Sequence, residues 1–415
     1  MTLEYNTLIV LVGTVALGMT AGIVGCLALL RRRALLGDAL SHATLPGICL
    51  AFILLGQRDF PFLLGGALVT GLLGVTTVAV LTRWTRIKED TATGLVLSLF
   101  FGVGITLSSY IQNHSTTGAQ AGIDSFILGK TAGMVLGDLY FIGGTAIAVL
   151  LVIVLFYKEL KLLSFDSAFA AVEGWPVLRL DLLFLLLLTV TTVIGLPAVG
   201  VVLMVALLVI PAAAARLWTQ RLGTMMALSA LFGAITGAVG TLLSTSYPNL
   251  PAGPVIVLAA AGIFVVSVLA APHRGVIART LSLRQMRRRR ERRKLLVFFF
   301  ERREQGQSIL DTGDFEKAFG GPQPRGLSDV MRDGWVSGGE GSWELTEQGL
   351  DRAMEVTRAH RLWVHYLLTE AEIDRDLVDP DTDTIEAILP AEVVARLQRE
   401  LRADGRFPER SALPC

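Results

Sequence analysis

Nine long apolar stretches occupy the first two-thirds of the chain and constrain its fold more than any other feature. Each holds about 20 residues, the length that an α-helix needs to cross about 30 Å of hydrocarbon. Only Gly and Pro, in the run IGLPAVGVV, separate the sixth stretch from the seventh. The chain is therefore predicted to be an all-α polytopic membrane protein, with spans at 7–30, 34–56, 61–82, 92–110, 137–156, 179–198, 199–217, 224–245 and 253–271.

Basic residues between the stretches orient the predicted spans, because loops rich in Lys and Arg stay in the cytoplasm. With nine spans and an external N-terminus, every basic group falls on the same side of the membrane. Eight spans would place the last two groups outside. The sequence thus predicts nine spans and a cytoplasmic C-terminal part, from the basic groups Arg31–Arg33, 83–88, 157–161, 216–221 and the chain after Pro272.

The charged residues divide the chain into two kinds of sequence. Residues 1–271 hold 13 Lys and Arg and 11 Asp and Glu, whereas the shorter part 272–415 holds 24 and 25. We predict a transmembrane domain over 1–275, a basic juxtamembrane linker over 276–294 and a soluble domain over 295–415.

One segment resembles part of a nucleotide-binding motif but does not meet the requirements of that motif. The run LGKT at 128–131 resembles the end of a phosphate-binding P-loop, but that motif needs Gly five positions before Gly129, where Asp124 stands. The predicted topology also places it outside the cell. We therefore expect that the chain is not an enzyme and does not hydrolyse ATP itself.

Asp38 and His42 interrupt the second apolar stretch. Four residues apart, they share one face of a helix, and Ser41 lies beside them. Pro46 has no N–H for the carbonyl of His42, so the helix is expected to bend there. One carboxylate oxygen and one imidazole nitrogen suit divalent Mn, Fe or Zn, and ionisable residues within a membrane are functional by default. The alternative is that Asp38 pairs with Arg33 at the level of the lipid headgroups.

The first 271 residues resemble a known family, the metal-ion permeases of ATP-binding-cassette importers that serve manganese, zinc and iron. The most specific blocks are RRRALLGDALSHATLPGICLAF and KELKLLSFDSAFAAVEGWP. Further, more apolar blocks are IKEDTATGLVLSLFFGVGI, IDSFILGKTAG, VGVVLMVALLVIPAAAARL and SYPNLPAGPVIVL.

This resemblance implies a function, a set of partners and a location. In the family, the Asp and His of the GDALSH block line the metal pathway, and those positions here are Asp38 and His42. The metal is the cargo, Mn, Zn or Fe, and no cofactor is bound permanently. The implied partners are a separate ATP-binding subunit, an extracytoplasmic metal-binding protein, a second permease copy or paralogue, and membrane lipid. The implied location is a bacterial cell membrane.

The segment 158–176 is interpreted as a cytoplasmic loop with a short helix over Ala168–Val172. Asp166 is its expected N-cap, and Gly174, Trp175 and Pro176 end it. The family resemblance makes this the element that docks into the ATPase, with Asp166, Ala168, Glu173 and Gly174 as coupling residues. The alternative is an interfacial helix that lies on lipid.

The charged part begins with the basic run RQMRRRRERRK, which is interpreted as an anchor attracted to anionic lipid. Three helices and a hairpin follow, in the order of a winged helix. Residues 295–415 resemble iron- and manganese-dependent repressors of the diphtheria-toxin-repressor type. That resemblance implies that His360, Asp383 and Glu386 are regulatory metal ligands, but Val364 and Ala387 stand where two further ligands are expected.

Three interpretations of this part follow: a metal sensor that adjusts transport, a dimerisation module without ligands, or a DNA-binding domain. The expected recognition helix contains Arg325, Asp329, Arg332 and Asp333, so its charges cancel, which disfavours binding to DNA phosphates. The whole chain is therefore interpreted as an importer permease with a regulatory or dimerising extension. Its rivals are a proton-coupled secondary metal transporter and a metal-sensing membrane-bound transcriptional regulator.

Overall fold

The computed structural model describes residues 5–55, 60–114, 129, 131–247, 250–272, 275–321, 323–339, 341–369 and 391–409. The chain divides into two compact units, Met1–Arg279 and Thr280–Cys415.

Long apolar helices build the first unit, because backbone polar groups in hydrocarbon must be satisfied within the segment. Among the described residues, nine helical segments are long and apolar enough to cross a membrane, as the sequence predicts. The helices are α1 (Tyr5–Leu30), α2 (Leu36–Ala43), α3 (Leu45–Leu55), α4 (Phe60–Trp84), α5 (Glu89–His114), α6 (Leu136–Leu155), α7 (Tyr157–Phe165), α8 (Ser167–Val172), α9 (Val177–Val199), α10 (Val201–Trp218), α11 (Leu222–Ser246) and α12 (Ala252–Ala270).

Gly200 alone separates the sixth span from the seventh. It has φ of +82°, so α9 ends at Val199 and α10 begins at Val201. This left-handed backbone conformation is readily adopted by glycine. Pro197 lies inside α9 and does not end it. The predicted joint is confirmed, and Gly rather than Pro makes the break.

Small residues bring α1 against α11 at the centre of the first unit. A Cβ atom on Gly18 would lie 2.3 Å from the carbonyl oxygen of Gly233, and one on Gly233 would lie 2.0 Å from that of Gly18. One turn further along, Ser229 Oγ donates a hydrogen bond of 2.8 Å to the carbonyl of Gly22. Such close approach lets dispersion contacts and interhelical hydrogen bonds hold membrane helices together.

The second unit begins with a long helix and contains a winged helix. Its elements are α13 (Val276–Glu304, whose first residues belong to the first unit), β1 (Ile309–Asp311), α14 (Thr312–Phe319), α15 (Leu327–Arg332), β2 (Val336–Gly339), β3 (Ser342–Leu345), α16 (Glu347–Thr369) and α17 (Ala391–Ala403). The strands form an antiparallel sheet in the order β1-β3-β2. The predicted fold class is confirmed. The stretch 276–294, predicted as a linker, is helical as the first part of α13.

An aromatic core holds the winged helix together. Phe299 and Phe300 of α13 are buried with Phe315 of α14 and Trp343 of β3. The rings of Phe315 and Trp343 lie 5.2 Å apart between centroids, within the favourable range for aromatic pairs. A capping box fixes the start of α14, since Asp311 Oδ1 accepts a bond from the N–H of Asp314.

Candidate metal pathway

Asp38 and His42 face each other on the second membrane span. They lie on α2, and His42 Nε2 is 3.6 Å from Asp38 Oδ1. That separation is too long for a hydrogen bond, so both atoms can offer lone pairs to a cation. Two donors held at the tetrahedral angle by one ion about 2.1 Å away are about 3.4 Å apart. The observed spacing therefore fits a shared transition-metal ion.

The surroundings of His42 set the orientation of its ring. The edge-to-face contact with Phe101 of α5 places the two ring centroids 4.8 Å apart. His42 Nδ1 is buried and has no hydrogen-bond partner among the described residues. The side chains of His42 and Asp38 are 24% and 42% exposed, so Nε2 and the carboxylate are the accessible donors. The imidazole thus presents one nitrogen to an ion beside Asp38.

The backbone of the second span stays helical just after this pair. α2 ends at Ala43 and α3 begins at Leu45, but Thr44 between them has helical angles (φ −76°, ψ −26°) and its N–H donates to the carbonyl of Leu40. Pro46 lies in the first turn of α3, where its missing N–H is tolerated. Thr44 Oγ1 donates to the carbonyl of Ser41 at 2.7 Å, which supplies a local partner to the backbone beside His42. The bend that the sequence predicts beside Pro46 therefore stays a prediction, since the dihedral angles of Thr44 are those of a helix.

Asp38 and His42 are two donors, fewer than a closed metal site needs. Among the residues that the structure describes, no group of three or more His, Cys, Asp and Glu side chains could hold a metal ion. A closed structural site has four ligands. Asp38 and His42 together supply two of those four positions.

An ion-paired group, here called the arginine network, lies next to the pair and consists of Arg31, Arg33, Glu89 and Asp181. Arg33 Nε lies 2.5 Å from Glu89 Oε1, and Arg33 Nη1 lies 2.7 Å from Asp181 Oδ1. Arg31 also pairs with Asp181. Burial lowers the pKa of the Arg31 guanidinium, and Asp181 opposes that shift. The network joins the turn after α1 to the starts of α5 and α9.

This network bears on the alternative interpretation of Asp38. Arg33 is engaged by Glu89 and Asp181, whereas the Asp38 carboxylate lies 3.6 Å from His42 Nε2. Arg33 thus pairs with residues 56 and 148 positions further along the chain, and the alternative in which it pairs with Asp38 is not what the structure shows. Sequence reasoning missed the network, because its acids lie on other helices.

The segment proposed to contact an ATPase is formed by α7 and α8. Asp166 Oδ1 accepts a 2.8 Å bond from the N–H of Phe169, which confirms Asp166 as the N-cap of α8. Gly174 has φ of +83° and follows the end of α8. Ala168, Glu173 and Gly174 are exposed. The structure therefore places all four predicted coupling residues on one exposed helical turn and its ends.

The apolar residues of this segment are also exposed. The solvent-exposed side chains are Phe165, Phe169, Val172 and Trp175. Only Ala170 of α8 is buried. A helix with this much exposed apolar surface is typical of an interaction site.

In the second unit, the predicted regulatory ligands are described only in part. His360 lies on α16 and lines a cavity of about 410 Å³ with Glu301, Glu304, Arg361 and Val364. Burial and then Arg361 lower the pKa of His360, so its neutral form is favoured. Asp383 and Glu386 lie outside the described residues. His365, one position out of register with the expected ligand, bonds Glu400 at 2.9 Å.

The comparison with protein families rests on the nine-helix unit. The profile of the ABC 3 transport family matches residues 4–271. The chain belongs to this family. The match covers all nine candidate spans of the permease, including the helix that carries Asp38 and His42.

Relatives of this permease have been named in several bacteria. The manganese transport system membrane protein MntC of Bacillus subtilis (strain 168) is 39% identical over 414 residues, covering 98% of this chain and 94% of that protein. The zinc transport system membrane protein TroC of Treponema pallidum (strain Nichols) is 44% identical over 274 residues, covering 66% of this chain and 92% of that protein. The solved structure of PsaBC from Streptococcus pneumoniae in complex with Fab matches 68% of the permease and 95% of that chain, with a TM-score of 0.59 and 36% identity.

A second profile matches the C-terminal part of the permease. The iron dependent repressor, metal binding and dimerisation domain matches residues 346–411, which begin just after β3 and include α16 and α17. The winged helix lies between the two matched regions. The chain therefore joins a multi-pass ABC permease to a repressor-like C-terminal part.

Proposed function

We propose that this chain is the membrane-spanning subunit of an importer for manganese or zinc ions. The observation that carries the proposal is the Asp38–His42 pair, with an oxygen and a nitrogen donor 3.6 Å apart on a membrane helix. The names of MntC and TroC, which refer to manganese and zinc transport, support these two metals. Iron fits the same donors and is the third candidate.

Asp38 and His42 hold the ion transiently while the transporter changes access from outside to inside. Two donors bind a cation weakly enough to release it, and a second permease copy or paralogue supplies the rest of the coordination shell. Each cycle of ion binding and release leaves the chain chemically unchanged, since the metal is cargo. An extracytoplasmic metal-binding protein delivers the ion to the outer mouth.

The exposed turn around α8 couples the conformational changes of a separate ATP-binding subunit to the membrane helices. Its apolar face, with Phe169 and Val172, suits a protein cleft, and Asp166 holds the helix start in place. The basic groups of the permease lie on one side in the nine-span topology, and this supports a cytoplasmic location for α8 and the C-terminal part.

The C-terminal part acts as a regulatory or dimerising extension. The match to a metal binding and dimerisation domain supports this role. Asp329 of the recognition helix α15 and Asp333 just after it both lie within 4 Å of Arg292, so this helix carries acids of its own, which disfavour contact between the helix and DNA phosphates.

Metal uptake by variants of the pair tests the proposal. In a strain without other importers, Asp38→Ala and His42→Ala each lower manganese and zinc uptake by about ten-fold or more, because each removes one of two donors. Asp90→Asn is the matched control, since Asp90 is an exposed carboxylate at the start of α5. Membrane insertion and co-purification of the ATPase stay unchanged in all three variants.

The same experiment can reject the proposal. Uptake near the wild-type level in both Asp38→Ala and His42→Ala would show that the pair only stabilises the helix. Uptake that survives loss of the ATPase but collapses with the proton gradient would identify a secondary transporter instead.

A further inference from the structure

A small cavity in the second unit is walled by positive charge. Its volume is about 240 Å³, and we call it the arginine cavity. It lies between α13, α16 and the residue that precedes β2. The lining residues are Arg289, Arg292, Arg293, Leu296, Trp335, Arg352 and Val356.

The spacing of the arginines explains how they converge. Arg289, Arg292 and Arg293 follow one another at i, i+3 and i+4 on α13, so they share one helix face. Arg352 approaches from α16. The guanidinium group presents several N–H donors in a planar fork, which matches the oxygens of a phosphate.

Among the described residues, no acidic side chain shares the lining with these arginines, and the carboxylates that pair with Arg292 and Arg352 belong to residues outside the lining. A larger cavity of this unit, of about 410 Å³, differs, because Glu301 and Glu304 line it with Arg361 and Arg406. Like charges repel most strongly where water is partly excluded, so four arginines around one cavity favour an anion inside it.

Ion pairs behind the cavity hold two of these arginines in position. Arg292 Nη1 lies 2.7 Å from Asp333 Oδ2, and its buried Nε lies 3.6 Å from Asp329 Oδ2. Arg352 Nη1 lies 2.5 Å from Glu355 Oε2 on the exposed side of α16. The paired atoms fix the side chains, and because a guanidinium carries five N–H donors these pairs leave further donors on both arginines for a ligand.

The size of the cavity limits the ligand. Sites for drug-sized molecules begin at about 300 Å³, so this cavity suits a small group rather than a whole nucleotide. Trp335, Leu296 and Val356 add an apolar wall on which a short carbon chain can rest. We propose that the arginine cavity binds a phosphoryl anion, either free inorganic phosphate or the phosphate of an anionic lipid headgroup.

Calorimetric titration of inorganic phosphate into the full-length chain in phosphatidylcholine nanodiscs tests the proposal. Wild type binds phosphate saturably, and Arg289→Gln/Arg352→Gln weakens binding by about ten-fold or more, the equivalent of one lost charge-assisted hydrogen bond. Arg284→Gln/Arg287→Gln removes the same charge from exposed positions that do not line the cavity. Arg287 points about 200° around the helix from Arg289. This control binds phosphate like wild type.

Nanodiscs that contain phosphatidylglycerol distinguish the two sources of the anion. If the site takes a lipid headgroup, the lipid occupies it and the apparent affinity for free phosphate falls in wild type only. If the site takes free phosphate, the affinity is the same in both kinds of disc. Either result supports the proposal.

Three results would overturn it. The first is absence of saturable phosphate binding in phosphatidylcholine discs. The second is equal weakening in the control pair, which would indicate a diffuse charge effect. The third is an Arg289-dependent affinity for duplex DNA that exceeds the affinity for phosphate at the same salt concentration, which would make this surface a nucleic-acid site.

Discussion

Replacing Gly18 by Ala tests the packing of the membrane unit at its tightest point. The new Cβ would lie 2.3 Å from the carbonyl oxygen of Gly233, whereas ordinary contacts begin near 3.4 Å. Both obstructing groups belong to helix backbones, so no side chain can rotate away, and α1 and α11 must separate by about 1 Å. The bond of Ser229 to Gly22 would stretch with them.

The expected cost can be worked out from two opposing effects. Overpacking a tight interior costs about 3 kcal/mol at its upper end, and the better helix propensity of Ala returns about 1 kcal/mol. The net loss is about 2 kcal/mol, which lowers the unfolding midpoint by about 4 to 8 °C for a unit of this size. Gly262→Ala is the control, since nothing lies within 4 Å of its added Cβ. There only the propensity gain applies, and the midpoint stays equal or rises slightly.

Two buried thiols allow the unfolding of the membrane unit to be measured separately from that of the second unit. Cys26 and Cys49 are free and buried in the membrane unit, so a thiol-reactive fluorogenic dye reports its unfolding once Cys415 has been replaced by Ser. A Gly18→Ala midpoint equal to that of the parent would contradict the helix contact. An equal drop for Gly262→Ala would show that any added methyl group is harmful.

Three further predictions concern charged residues. Asp181→Asn lowers the midpoint of the thiol assay, at a cost of about 2 to 3 kcal/mol, because two partly buried arginines lose their acceptor; Asp90→Asn leaves it unchanged. Asp166→Ala removes an N-cap worth about 1 kcal/mol, so amide exchange over 167–172 becomes faster, and unchanged exchange would refute the capping role. Burial raises the pKa of Glu301 in the folded state, so the wild-type second unit loses stability as pH rises through that pKa. At a pH above that pKa, Glu301→Gln therefore has a higher unfolding midpoint than wild type, measured by near-UV circular dichroism. In acid the two midpoints are equal.

Local sequence patterns predicted much of the metal pathway. The i, i+4 spacing of Asp38 and His42 needs only a helix to bring both donors to one face, and α2 provides it. The N-cap role of Asp166 is also local, since the bond spans three residues. The roles of these residues in transport and coupling stay predictions.

Contacts between helices that are distant in the sequence could not be predicted from such local patterns. Nothing near Arg33 in the sequence indicates Asp181 or Glu89 as its partners, because the pairing depends on how three helices pack. The contact between Gly18 and Gly233 is equally non-local. The strand β1 has only three residues, too short for an alternating pattern, and the sequence gives no sign of it.

The arginine network has a consequence for the order of events during synthesis. Arg33 precedes Asp181 by 148 residues, so at about 5 to 20 residues per second the acid leaves the ribosome roughly 7 to 30 seconds later. Until then the arginines of the first turn have no acid from α9, and in the topology that we propose they hold that turn on the cytoplasmic side. Once α9 arrives, the same charges become a bond between helices. The stretch Arg31–Arg33 thus first orients the insertion of the chain and later stabilises the packed helices through its ion pairs with Asp181.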